Sequence, residues 1–200
     1  MTHLIIVSHP SKNSFSIYLA NELANKYREE GWKVIIRDLY DVKFPAVLSP
    51  DDLGQLKQGV TPDDIKTEQE YIKEADLISV IYPLWWASFP GILKGYIDRV
   101  LTNGFAFNYG ANGATGLLTD KKVVIHTTMG NTVEEYEEKD LITAFKKSQG
   151  EEVFGFCGMT IKGHYFYPQI TLADEAKRDH FLQFALSKYP ELEFNNVLEK

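Results

Sequence analysis

The sequence predicts an α/β fold built on a parallel, doubly wound sheet of five strands. Short β-rich segments alternate with helical segments along the whole chain. The β-rich segments are apolar throughout instead of alternating with polar residues, which indicates strands buried on both faces. The 200 residues, 44% of them hydrophobic, suit one domain spanning 1–200 with a substantial core. Five strands in one such domain favour the order 2-1-3-4-5.

The predicted strands span residues 4–7, 34–36, 77–81, 123–125 and 152–157, and the predicted helices 14–30, 61–75, 90–101, 132–148 and 172–188. In the first helix Phe15, Leu19, Leu23 and Tyr27 recur every four residues, and Gly31 ends it. The second helix begins with a threonine, a proline and two acids, a typical helix start. Residues 40–59, which include Pro45, Pro50 and Gly54, are predicted to be irregular.

Charge and cysteine content exclude several classes of function. With 21 Lys and Arg against 28 Asp and Glu, the net charge is −7, and no basic run is present, which argues against nucleic-acid binding. The single Cys157 excludes an intrachain disulfide, and its apolar neighbours predict a buried packing residue. The five histidines have no ligand spacing, so we predict no metal site.

The N-terminal apolar segment, residues 4–7, has neither a basic flank nor a cleavage site, so it is predicted to be a core strand and not a signal peptide. No apolar stretch approaches the length of a membrane span. We therefore expect a cytoplasmic protein.

Ligands of open parallel sheets bind beyond the carboxyl ends of the strands, where the strand order reverses. In this chain that rule selects three loops, residues 8–15, 82–89 and 127–133. The first is rich in hydroxyl and amide groups and leads into a helix N-terminus, which suits a phosphate. A plain helix cap in a polar turn explains it equally well.

The other two loops also point to a ligand. Trp85 and Trp86 are adjacent at a strand end and cannot both face one core, so we expect one to meet a planar ligand or a partner subunit. The alternative is a capped core aromatic. The third loop combines Thr127 and Thr128 with Gly130, a glycine that permits close approach of the backbone to a ligand.

Other ligand classes fit less well. The glycine-rich residues 110–116 have the wrong spacing for a dinucleotide fingerprint and precede a strand, so they are predicted to be a surface loop. No Walker-type Gly-Lys-Ser/Thr sequence occurs. A phospho-receiver needs acids after the first and third strands, where this chain has Ser8-His9 and Tyr82-Pro83.

One long segment carries a family resemblance. The sequence YPLWWASFPGILKGYIDRV (residues 82–100), continued by NGFAF (103–107), closely resembles the NAD(P)H:quinone oxidoreductases of the flavodoxin-like superfamily. His9-Pro10 followed by Ser14-Phe15, and Thr127-Thr128 with Gly130, match the other two flavin loops of that family. The resemblance spans nearly the full chain, is closest to the short bacterial members, and implies a flavodoxin-like three-layer sandwich.

The resemblance implies a homodimer with one flavin, FMN or FAD, per active site near the subunit interface. NAD(P)H would pass hydride to the flavin, and a quinone or similar small molecule would then take it from the same place. Similar short proteins regulate potassium efflux systems, which gives a peripheral membrane-protein partner as one alternative. A flavodoxin-like electron carrier is the other.

The resemblance also assigns roles to residues. The flavin phosphate would be held by His9, Ser14, Phe15 and Ser16. The isoalloxazine edge would meet Pro83, Leu84, Trp85, Trp86 and Ala87. Hydrogen bonds near flavin N1 and O2 would come from Thr127, Thr128, Gly130 and Asn131, and Phe105 and Phe107 would cover the substrate pocket.

The sequence departs from the family pattern in the third loop and after it. Met129 stands where the family has a glycine. Tyr136 is the candidate for the family's catalytic tyrosine, one residue out of register, with a surface tyrosine as the alternative. The family's histidine has no counterpart, and residues 139–141 are Lys-Asp-Leu.

Overall fold

A computed structural model describes residues 1–111 and 113–189. Its strands are β1 (Thr2–Val7), β2 (Lys33–Asp38), β3 (Leu77–Pro83), β4 (Phe107–Gly110), β5 (Gly113–Gly116), β6 (Lys122–Thr128) and β7 (Thr160–Tyr167). Five of them form a parallel sheet in the order β2-β1-β3-β6-β7. This is the predicted order 2-1-3-4-5, because β4 and β5 pair separately as an antiparallel hairpin.

The helices lie between the strands. They are α1 (Phe15–Glu29), α2 (Pro50–Lys57), α3 (Asp63–Glu74), α4 (Gly91–Val100), α5 (Val133–Glu137), α6 (Leu141–Phe145) and α7 (Glu175–Ser187). A π-helical segment, Lys146–Gly155, continues from α6, and a 3₁₀ turn, Ile170–Leu172, precedes α7.

The sheet is covered on both faces, as its apolar strands predict. Ile5 and Val7 of β1 belong to a core cluster with α1 and α7, while Leu4 and Ile6 belong to a second cluster with α3 and α4. Successive side chains of a strand point to opposite faces, so each strand feeds both clusters. Two apolar layers on one sheet give the three-layer sandwich.

The predicted fifth strand is wrong. Residues 152–157 lie in and just after the π-helical segment, and the fifth strand of the sheet is β7. As an edge strand, β7 is only partly buried along most of its length and does not need to be apolar throughout; it carries Lys162 and His164. Apolar character therefore selects residues 152–157 wrongly as the fifth strand.

The predicted helix 132–148 is divided, and the last helix is shorter than predicted. Asp140 adopts a left-handed backbone (φ 55°) that separates α5 from α6, and the helical backbone then continues past residue 148 as the π-helical segment. The last helix begins at Glu175 instead of residue 172, because the Asp174 side chain caps it by accepting a hydrogen bond from Lys177 N.

Two other segments predicted to lack regular structure contain it. Residues 40–59 include α2, whose N-terminus carries a complete capping box between Ser49 and Asp52. The glycine-rich residues predicted to be a surface loop contribute to the β4–β5 hairpin, apart from Asn112, which lies outside the described residues. A Cβ at Gly116 would lie 2.3 Å from Gly158 N, so the glycine is required by close backbone packing and not by a ligand.

Cys157 is buried (2% exposed) in the cluster that faces α3 and α4. Burial raises the pKa of its thiol to about 11, which confirms the packing role predicted for it. No helix among the described residues has both the length and the apolar character that crossing a bilayer requires.

Candidate active site

The three loops selected by the topology rule leave the sheet at adjacent points. Ser8 N, just past β1, donates a hydrogen bond to Ile81 O of β3 at 3.0 Å. Leu84 N, just past β3, donates to Thr128 O of β6 at 2.8 Å. The loops that follow β1, β3 and β6 therefore start within one hydrogen bond of each other, at the carboxyl edge of the sheet where the strand order reverses.

A cavity of about 150 Å³ lies where the first loop meets the end of β6. It is lined by His9, Ser11, Ser14, Phe15, Ser16, Thr128, Ile170, Thr171 and Arg178. The cavity thus contains every residue predicted to hold the phosphate. It also contains Arg178 of α7, which the sequence did not single out.

Two buried donors in this cavity have no partner within the described residues. They are the Ser16 hydroxyl and Arg178 Nε. A buried donor without a partner costs about 1–3 kcal/mol, so both atoms suit an anionic ligand that accepts from them. The N-terminus of the 15-residue helix α1 adds its positive dipole end at the same place.

Ser14 is compatible with both interpretations of the first loop, the plain helix cap and the phosphate site. Its side chain is the N-cap of α1 and accepts a hydrogen bond from Ile17 N at 3.3 Å, as a plain helix cap requires. The unpartnered Ser16 and Arg178 donors go beyond capping, and they favour the phosphate.

His9 links the first loop to the tryptophan loop. Its Nδ1 accepts a hydrogen bond from Ser11 N at 3.0 Å, so the neutral ring carries its proton on Nε2 and can donate from there. Partial burial lowers the pKa of the imidazole, which favours this neutral form. The ring centroid lies 6.0 Å from that of Trp85.

The second loop is a tight reverse turn with an unusual sequence. Trp85 and Ser88 exchange backbone hydrogen bonds of 3.1 and 3.0 Å across it. The two central residues, Trp86 and Ala87, both adopt left-handed backbones, with φ of 52° and 56°. Residues other than glycine lose about 1–2 kcal/mol each in that region, so the surroundings must stabilise the turn.

The tryptophan side chains do not enter the core. Trp85 is 40% exposed and Trp86 is 99% exposed. The interpretation of Trp86 as a capped core aromatic is therefore wrong. The other interpretation, contact with a planar ligand or a partner subunit, stays a prediction. A fully exposed indole at a strained turn offers a large flat apolar surface at the mouth of the site.

The third loop carries buried hydroxyls. Thr127 and Thr128 are both buried, and Thr127 Oγ1 lies 3.0 Å from His164 Nε2. A Cβ built on Gly130 would meet no atom within 4 Å, so this glycine faces open space. Asn131 is exposed, and its backbone oxygen accepts from Gln169 N at 3.1 Å.

Tyr136 stands beside this loop on α5. It packs edge-on against Phe145 at 5.7 Å and borders an apolar cluster formed by Leu84, Met129 and Phe145. Partial burial and the nearby Glu135 raise the pKa of its phenol, so the group stays protonated and can donate.

The two phenylalanines predicted for the substrate pocket lie in different surroundings. Phe107 of β4 contacts Phe156 (centroids 5.1 Å apart) and Tyr109 (5.5 Å), and Tyr109 is 72% exposed. Phe105 lines a separate cavity of about 630 Å³, and no residue of the three loops lines that cavity. Within the described residues, Phe105 is therefore not brought together with the flavin loops.

Comparison with known proteins places this arrangement in a family. The family model for the flavodoxin-like fold matches residues 1–191. A Haemophilus influenzae protein named "Uncharacterized NAD(P)H oxidoreductase" is 37% identical over 189 residues, 94% of each chain. The chain belongs to the flavodoxin-like family of NAD(P)H:quinone oxidoreductases.

Other relatives of this family are more distant. The ribosyldihydronicotinamide dehydrogenase [quinone] of Homo sapiens is 32% identical, with 86% of this chain and 81% of that protein aligned. The solved NAD(P)H:quinone oxidoreductase of Methanothermobacter marburgensis is 29% identical with a TM-score of 0.78, covering 92% of this chain and 95% of that one. An FMN-dependent NADH-azoreductase from Bacillus anthracis, solved in complex with FMN, shares the fold at 20% identity and a TM-score of 0.68, over 94% and 97% of the two chains.

Met129, where the family pattern has a glycine, has a structural explanation. The side chain is buried (1% exposed) in the cluster with Leu84 and Phe145. Met129 therefore serves as a packing residue beneath the third loop.

Sequence reasoning missed two residues of this family member's site. Arg178 lies far along the chain from the first loop, and one arginine on a helix gives no signal until the fold brings α7 to α1. Gln149 is buried (3% exposed) behind the tryptophan turn, and it lies between the predicted helix 132–148 and the predicted strand 152–157, where the sequence predicts no regular element. Among residues 1–111 and 113–189, no three His, Cys, Asp or Glu side chains are grouped as a metal site.

Proposed function

We propose that this chain is an NAD(P)H:quinone oxidoreductase that works through a bound flavin by two-electron, ping-pong hydride transfer. The observation that carries the proposal is the cavity beside α1, where two buried donors without partners and a helix N-terminus converge on one anion position. This cavity lies next to the exposed tryptophan turn, because His9 lines the cavity and its ring lies 6.0 Å from that of Trp85. A flavin whose phosphate occupied the cavity would thus have its isoalloxazine near the turn. The NAD(P)H and quinone reductase names of the relatives support the same activity.

The flavin, when bound, accepts hydride from NAD(P)H and delivers it to a quinone at the same position. The chain's own residues would bind and orient it. Arg178 Nε and the Ser16 hydroxyl would donate to its phosphate, and His9 would donate from Nε2. Thr128 and the open face of Gly130 would meet the ring edge where negative charge develops.

Two further groups would act at the substrate side. Trp86 would exclude water from the ring edge, because its indole lies at the mouth of the site. Tyr136 would hold its proton at the phenol oxygen, which suits a donor to reduced flavin or to substrate. This role rests on the resemblance and on the raised pKa of the phenol.

The phosphate cavity suits the part that FMN and FAD share. A second cavity, of about 760 Å³, also contains Ser14, Phe15 and Arg178, and it continues between α1 and α7. An adenosine extension of the cofactor would lie there. The chain thus has space for either flavin, and the mass of the flavin released by heat distinguishes them.

A homodimer is part of the proposal. Trp86 and Tyr109 expose apolar surface next to the site, and a second copy would cover it, as the family resemblance implies. Sedimentation of the purified protein tests the dimer. Within the described residues we find no feature that favours the transporter-regulating alternative, and a substrate-facing tryptophan turn argues against a simple electron carrier.

Steady-state kinetics test the activity. Purified protein supplied with flavin is mixed with NADH or NADPH at several concentrations of a benzoquinone. Parallel double-reciprocal lines support ping-pong transfer at one site. A protein that takes up no added flavin, or that binds flavin but oxidises neither nucleotide, contradicts the proposal.

A further inference from the structure

The tryptophan turn is held from behind by one buried amide. Gln149 Nε2 donates a hydrogen bond to Ala87 O at 3.1 Å, at the second left-handed residue of the turn. Its Oε1 accepts from the Tyr82 hydroxyl at 2.7 Å. Gln149 is 3% exposed and Tyr82 is fully buried, so water does not compete for either bond.

The turn needs such a contact because its own sequence does not favour its shape. Turns with two left-handed central residues strongly prefer Asn-Gly, and this one has Trp-Ala. Strained backbone persists only where neighbouring groups fix it, and it is frequent at functional sites. The bond from Gln149 reaches one of the two central residues from outside the turn.

The π-helical segment places the amide. Gln149 lies in the first half of Lys146–Gly155, a ten-residue segment wound more loosely than an α-helix. Such segments are rare, and most of those known are single-turn bulges within α-helices, which are frequent at functional sites. In this chain the segment directs Gln149 toward the turn, while its partner Tyr82 lies at the end of β3. The turn is thereby tied to the central sheet.

We propose that Gln149 is a positioning residue: it fixes the Trp86–Ala87 turn and so determines how well the site receives the quinone acceptor. It does so through Ala87 O, without touching substrate. The effect on the acceptor rests on the proposed function, whereas the effect on the turn does not. The amide is suited to this role because it accepts from Tyr82 and donates to Ala87 at once, which neither a carboxylate nor an apolar side chain can do.

Gln149→Leu removes both bonds and keeps a similar volume. Hydrogen exchange measured on peptides covering residues 83–89 is expected to be faster in this variant, because the Ser88 amide loses the support of the turn. The KM for a benzoquinone is expected to rise about tenfold or more, since small misplacements at a site are costly. The dissociation constant of the flavin should rise by a smaller factor than the quinone KM, because the phosphate contacts lie elsewhere and are kept.

The chain offers a matched control in Gln69. This glutamine is also buried (5% exposed) and also makes two hydrogen bonds, to Val100 O and Thr102 Oγ1, each 3.0 Å long. Gln69→Leu should lower the unfolding temperature about as much as Gln149→Leu. It should leave exchange at residues 83–89 and the quinone KM unchanged, and equal effects of the two variants on those quantities would refute the positioning role.

Gln149→Glu gives a readout that a purely structural role would not move. An ionised carboxylate cannot donate to Ala87 O, whereas its protonated form can, so exchange and quinone KM should approach the wild-type values measured at the same pH as the pH is lowered. Nearby titratable groups do not interfere: burial raises the pKa of Tyr82 and lowers that of His164 to about 3. Lys146, Lys147 and Glu151 of the same segment are exposed.

The outcomes separate the two proposals. Faster exchange at the turn without any NAD(P)H oxidation by wild type would keep the structural role of Gln149 and overturn the proposed function. A wild-type reductase whose Gln149→Leu variant keeps normal exchange and normal quinone KM would overturn the positioning role alone. A Gln149→Glu variant whose exchange and KM differ from those of wild type by the same factor at every pH would also overturn it.

Discussion

Replacing Arg178 with leucine tests how the phosphate cavity binds flavin. In the structure Arg178 Nε is buried in that cavity and has no partner among the described residues. A hydrogen bond to a charged group contributes about 1.5–3 kcal/mol, so Arg178→Leu should weaken flavin binding about 10-fold to about 150-fold. Arg178→Lys keeps the charge but loses the planar fork, and its loss should be intermediate.

Flavin binding to the apoprotein is followed by quenching of flavin fluorescence, with Arg28→Leu as the control. Arg28 is exposed in the last turn of α1, at the opposite end of that helix from the cavity. Its replacement by leucine removes the same charge as Arg178→Leu. Because Nε has no partner within the part of the chain that the structure describes, Arg178→Leu should not lower the unfolding temperature of the apoprotein. Wild-type flavin affinity in Arg178→Leu, or an equal loss in Arg28→Leu, would refute this account of the cavity.

Three further predictions concern stability, the turn and the thiol. The Arg99 guanidinium lowers the pKa of Asp52 to about 2, so their pairing stabilises the fold above the usual pKa of an aspartate and is lost as pH falls toward 2. Asp52→Asn should remove about 2 kcal/mol of acid-sensitive stability, measured by urea unfolding across that pH range, and an unchanged pH profile would contradict it. Trp86→Ala should leave the unfolding free energy of the monomer within about 0.5 kcal/mol but lower kcat/KM for a quinone about tenfold, whereas Val47→Ala, at another exposed residue, should change neither. Cys157→Ala should keep full quinone reductase activity, and loss of activity would show that the buried thiol takes part in the chemistry.

Sequence patterns were sufficient for the sheet where strands are buried on both faces. The segments 4–7, 77–81 and 123–125 are apolar apart from Ser79, and all lie in the three central strands. The same criterion failed at the edge, because β7 mixes Lys162 and His164 with aromatics and is only partly buried along most of its length. It also failed for the π-helical segment, whose bonding depends on tertiary contacts and not on a repeat in the sequence.

The topology rule predicted where the candidate site lies, but not every residue that contributes to it. The rule selected the three loops, and the structure brings them together at the carboxyl edge of β1, β3 and β6. Contacts from elements distant in the chain were not predictable, since nothing local distinguishes Arg178 or Gln149 from other surface or helix residues. Phe105 shows that nearness in the sequence can also mislead. It was predicted to cover the substrate pocket together with Phe107, but it lines a cavity to which no residue of the three loops contributes.

The most direct test of the central claim is anaerobic mixing of the flavin-loaded protein with NAD(P)H, followed by a second mixing with a benzoquinone. We expect the first mixing to bleach the visible absorbance of the flavin and the second to restore it fully, with both rates fast enough to account for steady-state turnover. Bleaching that the quinone does not reverse, or a flavin that NAD(P)H leaves oxidised, would contradict a quinone oxidoreductase acting through flavin bound at these loops.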